Sequence, residues 1–144
     1  MLEVVEKPKI IHHRNNWCWG KSVICITDDG YGTATMSITT EHEYSEEEDK
    51  LIPIKQAVIS GISVYYRHRR QGYGDLLLRE CEDEAAKAGF DTVYLWSDPN
   101  TPAFEWYKRR GYVECPEMMM VPDIESSTSL VKLKKTFPTL ETKL

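Results

Sequence analysis

Long apolar runs and paired cysteine spacings are both missing from this sequence, and each absence closes off a class of protein. No stretch approaches the roughly 20 apolar residues that a membrane-spanning helix needs, so no membrane partner is expected. The first residues, MLEVVEKPKIIHH, are charged from Glu3 onward and contain no apolar h-region, which argues against a signal peptide. The four cysteines (Cys18, Cys25, Cys81 and Cys115) form no CxxC and no Cys/His ligand spacing. Reduced thiols in a cytoplasmic protein are expected, with neither a disulfide framework nor a metal. His12 and His13 have no third ligand in their company and read as exposed strand residues. Positive charge is scarce as well: 18 Lys and Arg stand against 23 Asp and Glu, for a net charge of -5. That balance disfavours nucleic acid, whose backbone is bound through an excess of cations.

What is present fits one globular domain over 1–144. Hydrophobic residues make up 41% of the chain and charged residues 28%, so a core can form and disorder is not expected. The chain divides into N-terminal strands (1–53), a central core (54–113) and a closing strand with a tail (114–144). Leu2 to Val5 and Lys9 to His13 read as extended pieces. Trp17–Thr27 and Tyr31–Thr40 flank Asp28-Asp29-Gly30 and predict a β-hairpin, its second arm weakened by Gly32. Glu41–Lys50 is densely acidic and reads as a solvated loop or a frayed helical turn. Pro53 marks a boundary before a central strand, roughly Ile54–Tyr65.

That strand ends in a basic knot, Arg67-His68-Arg69-Arg70, followed by Gly72 and Gly74 and then by a strongly helical sequence. The helix sets Tyr73, Leu77, Cys81, Ala85 and Ala88 along one stripe, widened by Leu76 and Leu78, and stops at Gly89. Asp91–Ser97 is a second apolar strand, so the helix bridges two parallel strands in a right-handed crossover. Pro102 opens a further helix to about Arg110, with Ala103, Trp106 and Tyr107 inward and Gly111 as its stop. Tyr112–Cys115 and Leu130–Leu133 read as short strands, Pro116–Ser129 as a loop with Met118–Met120 packing in it, and Thr136–Leu144 as a mobile tail.

Strand, glycine turn and helix in that order build an anion seat. Glycines let successive N–H groups point into one concavity, the helix N-terminus adds roughly half a positive charge, and the arginines can pair with phosphate oxygens. The plainer reading is a tight strand-to-helix turn with solvated arginines. A Rossmann site fails because Leu77 stands at the third glycine position, and a Walker A loop is absent.

Arg69-Arg70-Gln71-Gly72-Tyr73-Gly74 resembles the cofactor motif of the GNAT superfamily, the acyl-CoA-dependent N-acyltransferases. A second family feature follows in order: Asn100, then Ala103-Phe104-Glu105-Trp106-Tyr107, closing on Gly111-Tyr112. The resemblance spans about Ala57–Val113. It implies an α/β (α+β) fold with a mixed, mostly antiparallel central sheet, one parallel pair joined by a βαβ crossover, and helices on the faces. The family usually carries one or two helices after its first strand. Here only His13–Asn16 could supply a helical turn, so the N-terminal helical region is reduced.

The resemblance further implies acetyl-CoA, or another acyl-CoA, as co-substrate. Its pantetheine arm would pair with backbone groups of Ile62 and Val64 where the two parallel strands splay. Its diphosphate would sit on the amides of Arg69, Arg70, Gln71, Gly72, Tyr73 and Gly74, aided by the Arg69 side chain. Asn100, Ala103 and Tyr107 complete the cofactor-binding set. Tyr107 matches the tyrosine that protonates the departing thiolate; a Tyr of pKa ~10 giving a proton to a thiolate of ~8.5 works uphill by roughly 2 kcal/mol, so it should assist rather than be indispensable. A core tyrosine with a satisfied hydroxyl is the alternative. The general base is unreadable: Glu41, His42, Glu43, Ser60 and Ser63 are candidates, with Glu41 or Glu43 the guess carried forward. The acceptor is expected to be an amine on a small molecule or peptide, and the acidic run Glu46–Asp49 suggests a cationic one. A CoA-binding regulatory module without catalysis is the second reading, and monomer or homodimer is left open.

Overall fold

The computed structural model describes residues 7–17, 20–115, 121–122 and 129–137. Eight strands form one sheet: β1 (Ile10–Trp17), β2 (Gly20–Thr27), β3 (Gly32–Ser45), β4 (Lys50–Val64), β5 (Thr92–Ser97), β6 (Val113–Glu114), β7 (Val121–Pro122) and β8 (Ser129–Thr136). The order across the sheet is β1-β2-β3-β4-β5-β8-β6, with β7 on β8 off this path. Every pair is antiparallel except β4 and β5, which run parallel. The described residues also form two helices, α1 (Tyr73–Lys87) and α2 (Pro102–Lys108). This is the mixed sheet with a single βαβ crossover that the resemblance implies.

The Asp28-Asp29-Gly30 turn forms because Asp29 caps it. Its Oδ1 accepts from the Thr27 hydroxyl at 2.7 Å and from the Tyr31 amide at 3.1 Å. Gly32 does not weaken the second arm. A Cβ there would stand 2.9 Å from Leu77 Cδ1, so its bare backbone is what lets α1 lie close to the sheet. α1 presents Leu77, Leu78, Cys81 and Ala85 to Val23, Cys25, Ala34, Met36, Ala57, Ile59, Val93 and Leu95. It ends in a Schellman closure, the Phe90 amide donating to the Ala85 carbonyl and the Gly89 amide to that of Ala86, both at 3.0 Å. Ala88, placed in the buried stripe by periodicity alone, is the C-cap residue within that closure and is exposed.

Four other expectations are corrected. Residues 41–45 continue β3 rather than forming a loop or helical turn, and the turn is confined to 46–49. Pro53 lies inside β4, opposite His42, where β4 has no partner on its β5 side and a missing N–H is tolerated. His13–Asn16 is strand, paired with 21–24 of β2, and only residues 18 and 19 separate β1 from β2. β8 extends through Thr136, and the Phe137 amide donates to the Asp91 carbonyl at 2.8 Å, so the chain is anchored further than the expected start of the tail. Leu2–Val5, Met118–Met120 and 138–144 fall outside the described residues.

Candidate active site

β4 and β5 pair only from Ala57 to Ile59, opposite Val93 to Leu95. Beyond that β4 runs on to Val64 with no neighbour on its β5 side among the described residues. The cause lies in the pairing with β3, where Met36 faces Ile59 and Thr35 faces Gly61, leaving Ser60 as an extra residue. Such a bulge bends a strand and increases its twist, and here it leads β4 away from β5 into an open wedge. Ile62 and Val64, the expected pantetheine partners, lie half-buried along this unpaired edge on the α1 side. Ser60 and Ser63 are exposed on the same stretch.

The turn from β4 into α1 is held from two sides. On one side the Tyr73 hydroxyl donates to Asp29 of the β2–β3 turn, which lowers the Asp29 pKa and raises that of Tyr73 to about 12. On the other, Asp75 accepts from both Nε and Nη2 of Arg110, the latter at 3.0 Å, and this pairing holds its carboxyl below the ordinary range. The Arg110 guanidinium also lies 3.9 Å from the Trp106 ring centre, and Trp106 packs against Gly74. A cation, a ring and a bare backbone thus brace α2 against the first turn of α1.

Between these braces the backbone takes an unusual path. Arg70 and Gly72 both have left-handed φ, +66° and +85°. The Arg69 amide makes a long bond of 3.4 Å to the Tyr66 carbonyl, and the first intrahelical bond is Leu76 to Gly72 at 3.0 Å. Among the described residues the amides of Arg70, Gln71, Gly72, Tyr73, Gly74 and Asp75 have no acceptor. Six unengaged N–H groups at a helix N-terminus, with Arg67, Arg69 and Arg70 exposed beside them, suit the phosphate oxygens of a nucleotide-like anion. The residues present fit the pyrophosphate of an acyl-CoA. Arg69 itself turns back, its Nε donating to the Val64 carbonyl at 3.2 Å.

Tyr107 is 9% exposed, and its hydroxyl makes no hydrogen bond among the described residues. It stands edge-on to Trp106 and Tyr112, with ring centres 5.1 and 5.8 Å away. Burial first, and the neighbouring Cys81 second, push its pKa above the ordinary tyrosine value. Asn100 is exposed, its amide capped by Asp98 at 2.9 Å. Ala103, expected inward, is exposed as well: the seven-residue α2 turns Phe104 and Tyr107, three residues apart, into the core, and Ala103 lies a hundred degrees from Phe104 around the helix. Glu41 and Glu43 belong to β3, with side chains outside the described set. His42 is exposed.

Several features had no sequence signal or a weak one. The Ser60 bulge could have been suspected from a Ser-Gly pair inside an otherwise β-branched strand. The Asp75–Arg110 brace joins residues far apart in the chain and left no trace in spacing. A cavity of about 370 Å³ lined by Arg14, Lys21, Val23, Met36, Glu84 and Lys87 lies at the C-terminal end of α1, away from the turn. Among the described residues no group of three or more His, Cys, Asp or Glu is placed to hold a metal ion. No helix among them is long and apolar enough to cross a membrane.

A parallel pair splayed by a bulge, with a free-amide turn at its mouth, defines an acyltransferase-like α/β protein. A sequence model of the acetyltransferase (GNAT) family matches residues 6–112, and the chain belongs to that family. Solved structures carry the same fold. Nourseothricin acetyltransferase aligns at 19% identity and TM-score 0.58, over 84% of this chain and 67% of that one. An acetyltransferase from Bacillus cereus aligns at 25% identity and TM-score 0.53, over 81% and 71%. A chain of the NatC complex, solved with Gag peptide and CoA, aligns at 13% identity and TM-score 0.57, over 81% and 71%.

Proposed function

We propose that this protein is an N-acyltransferase, most simply an N-acetyltransferase, that moves an acyl group from acyl-CoA to an amine by direct transfer in a ternary complex. The observation that carries the reading is the row of unengaged amides from Arg70 to Asp75 beside a wedge that β4 leaves open. Acyl-CoA, bound there, supplies a thioester whose acyl carbon the amine can take, with free CoA thiol as the other product. The turn amides, with Arg69 and Arg70, hold negative oxygens in place. The unpaired edge at Ile62 and Val64 offers backbone donors and acceptors to an amide-bearing arm, and holding both reactants in one wedge accounts for much of the rate. The Tyr107 hydroxyl, on a buried ring and without a hydrogen-bond partner among the described residues, is free to give its proton to a departing sulfur. With its pKa raised by burial, that donation is further uphill, which suits an assisting role. Asn100, just before α2, and Ala103, in its first turn, are exposed and are assigned to cofactor binding. A cytoplasmic setting belongs to the same proposal.

A second reading, a CoA-binding module without catalysis, is favoured by one observation: β1 passes to β2 through two residues, so no helix stands there to wall an acceptor pocket. A thiol-release screen of acetyl-CoA against amines, amino acids and peptide N-termini separates the two. Turnover with at least one amine is the expected result. Tight acetyl-CoA binding with no thiol release across the panel supports the module instead.

A further inference from the structure

The end of β3 and the start of β4 form an arm that leaves the sheet. β2 pairs with β3 only as far as Ile38, and β5 pairs with β4 only from Ala57. Thr39–Ser45 and Lys50–Gln56 therefore pair with each other and with no third strand among the described residues. A two-stranded ribbon alone in water is marginal. This one carries apolar surface to its tip, where Tyr44 and Leu51 face each other and are 59% and 61% exposed. One exposed leucine needs no explanation, but a tyrosine and a leucine side by side at the end of a projecting arm make an apolar plug. Beyond them the turn holds Glu46, Glu47, Glu48 and Asp49, of which Asp49 accepts from the Tyr44 hydroxyl and Glu48 pairs with Lys50 at 3.6 Å.

The complement lies at the foot of the same arm. The cavity of about 370 Å³ at the C-terminal end of α1 has Val23, Met36 and Ile38 in its lining, with Arg14, Lys21 and Lys87 beside them. Arg14 and Lys87 share the cavity's carboxylate, Glu84, while Lys21 has no carboxylate partner among the described residues. Positive charge thus prevails over an apolar floor, in a chain whose net charge is -5. Side-chain alternation carries the cavity's side of the sheet out along the arm. After Lys21 and Ile38 come Thr40 with Lys55, His42 with Pro53, and Tyr44 with Leu51, all of the arm residues exposed.

The plug cannot reach the cavity of its own chain, because about six residues of extended strand, roughly 20 Å, separate Tyr44 from Ile38. We propose that it docks in the cavity of a second copy, which returns the same contact and so forms a two-fold dimer. With the arms antiparallel, face to face, and the axis near position 41, the tip of each arm comes over the foot of the other. Tyr44 and Leu51 then cover Met36 and Ile38, and the acidic turn meets Lys21 and its neighbouring cations. Symmetry makes each contact twice. Arm faces of roughly 20 Å by 10 Å, with their seats, amount to about 800 Å² in all, which places the dimer among weak, micromolar associations. The wedge and the amide turn take no part, so the inference is independent of the acyltransfer reading.

Sedimentation equilibrium of the full chain, up to about 500 μM and at about 50 and about 500 mM salt, tests it. The wild type is expected to pass from 16.7 kDa toward twice that mass, with association at least about tenfold weaker at the higher salt. Tyr44→Ser combined with Leu51→Ser, which alters only exposed side chains, is expected to stay monomeric, and Lys21→Glu to weaken association at least about tenfold. Carbodiimide coupling of mixed ordinary and ¹⁵N-labelled wild type is expected to join the 46–49 turn of one copy to Lys21 or Lys87 of the other. That readout stands even if a variant does not fold. A wild type monomeric at 500 μM, a dimer that survives loss of Tyr44 and Leu51, or inter-copy cross-links that leave out both lysines overturns the inference.

Discussion

Gly72 and Gly74 serve the turn by different means, and substitutions should tell them apart. A Cβ at Gly72 meets nothing within 4 Å, yet φ of +85° puts the residue in the left-handed region. Gly72→Ala is expected to lower the unfolding free energy by roughly 1–2 kcal/mol, and Gly72→Asn by less, as read by urea denaturation. At Gly74 the backbone is ordinary helix, but a Cβ would stand 3.0 Å from Trp106 Cζ2. Gly74→Ala must displace Trp106 and should change its fluorescence while stability moves little. Tyr107→Phe is expected to reduce kcat by about tenfold, short of the 10²–10⁴ of an essential acid. Because burial raises the Tyr107 pKa above 10, kcat of the wild type should show no falling limb from this group up to pH 9.5. A loss beyond about 10³ in Tyr107→Phe, or such a limb, would contradict the assisting role.

At the scale of the elements, two carboxylates tie the start of α1 to its neighbours, Asp29 through Tyr73 and Asp75 through Arg110. Both have pKa values lowered in the folded state. Their contribution is therefore fully present above the unfolded carboxylate value of about 3.9 and is lost as pH falls through the folded one. The melting temperature should drop as pH falls below about 4, and Arg110→Gln should flatten the part that Asp75 contributes; an unchanged profile in that variant would show the brace to be idle. The same elements show what can be read from a chain. Gly72, Gly89, Pro102 and Asp28-Asp29-Gly30 announce α1, α2 and the β2–β3 turn because cap and turn chemistry is local. The end of β3 was not legible, since Glu41 to Ser45 projects with β4 beyond the covered sheet and has no apolar alternation to betray it. The Ser60 bulge, and the insertion of β8 between β5 and β6, follow from pairing between distant segments, which no spacing records.

For the molecule as a whole, the length of β4 separates the acidic turn from the wedge, two regions that the expectation of a cationic acceptor joined. The acidic turn at 46–49 lies eleven residues from Ser60, roughly 35 Å along an extended strand at 3.3 Å per residue. Replacing Glu46, Glu47, Glu48 and Asp49 by their amides should leave acetyl-CoA affinity and acceptor KM within about twofold, since such a separation exceeds the Debye length of about 8 Å at physiological salt. An acidic turn so far from the wedge gives no ground for a cationic acceptor. The central claim is that main-chain amides at the mouth of the wedge bind the pyrophosphate of acyl-CoA. Amide NMR of the labelled protein during an acetyl-CoA titration tests it most directly. The account predicts the largest saturable shifts at Arg70, Gln71, Gly72, Tyr73, Gly74 and Asp75; saturable binding that leaves those six resonances in place, or no binding at high micromolar concentration, would contradict it.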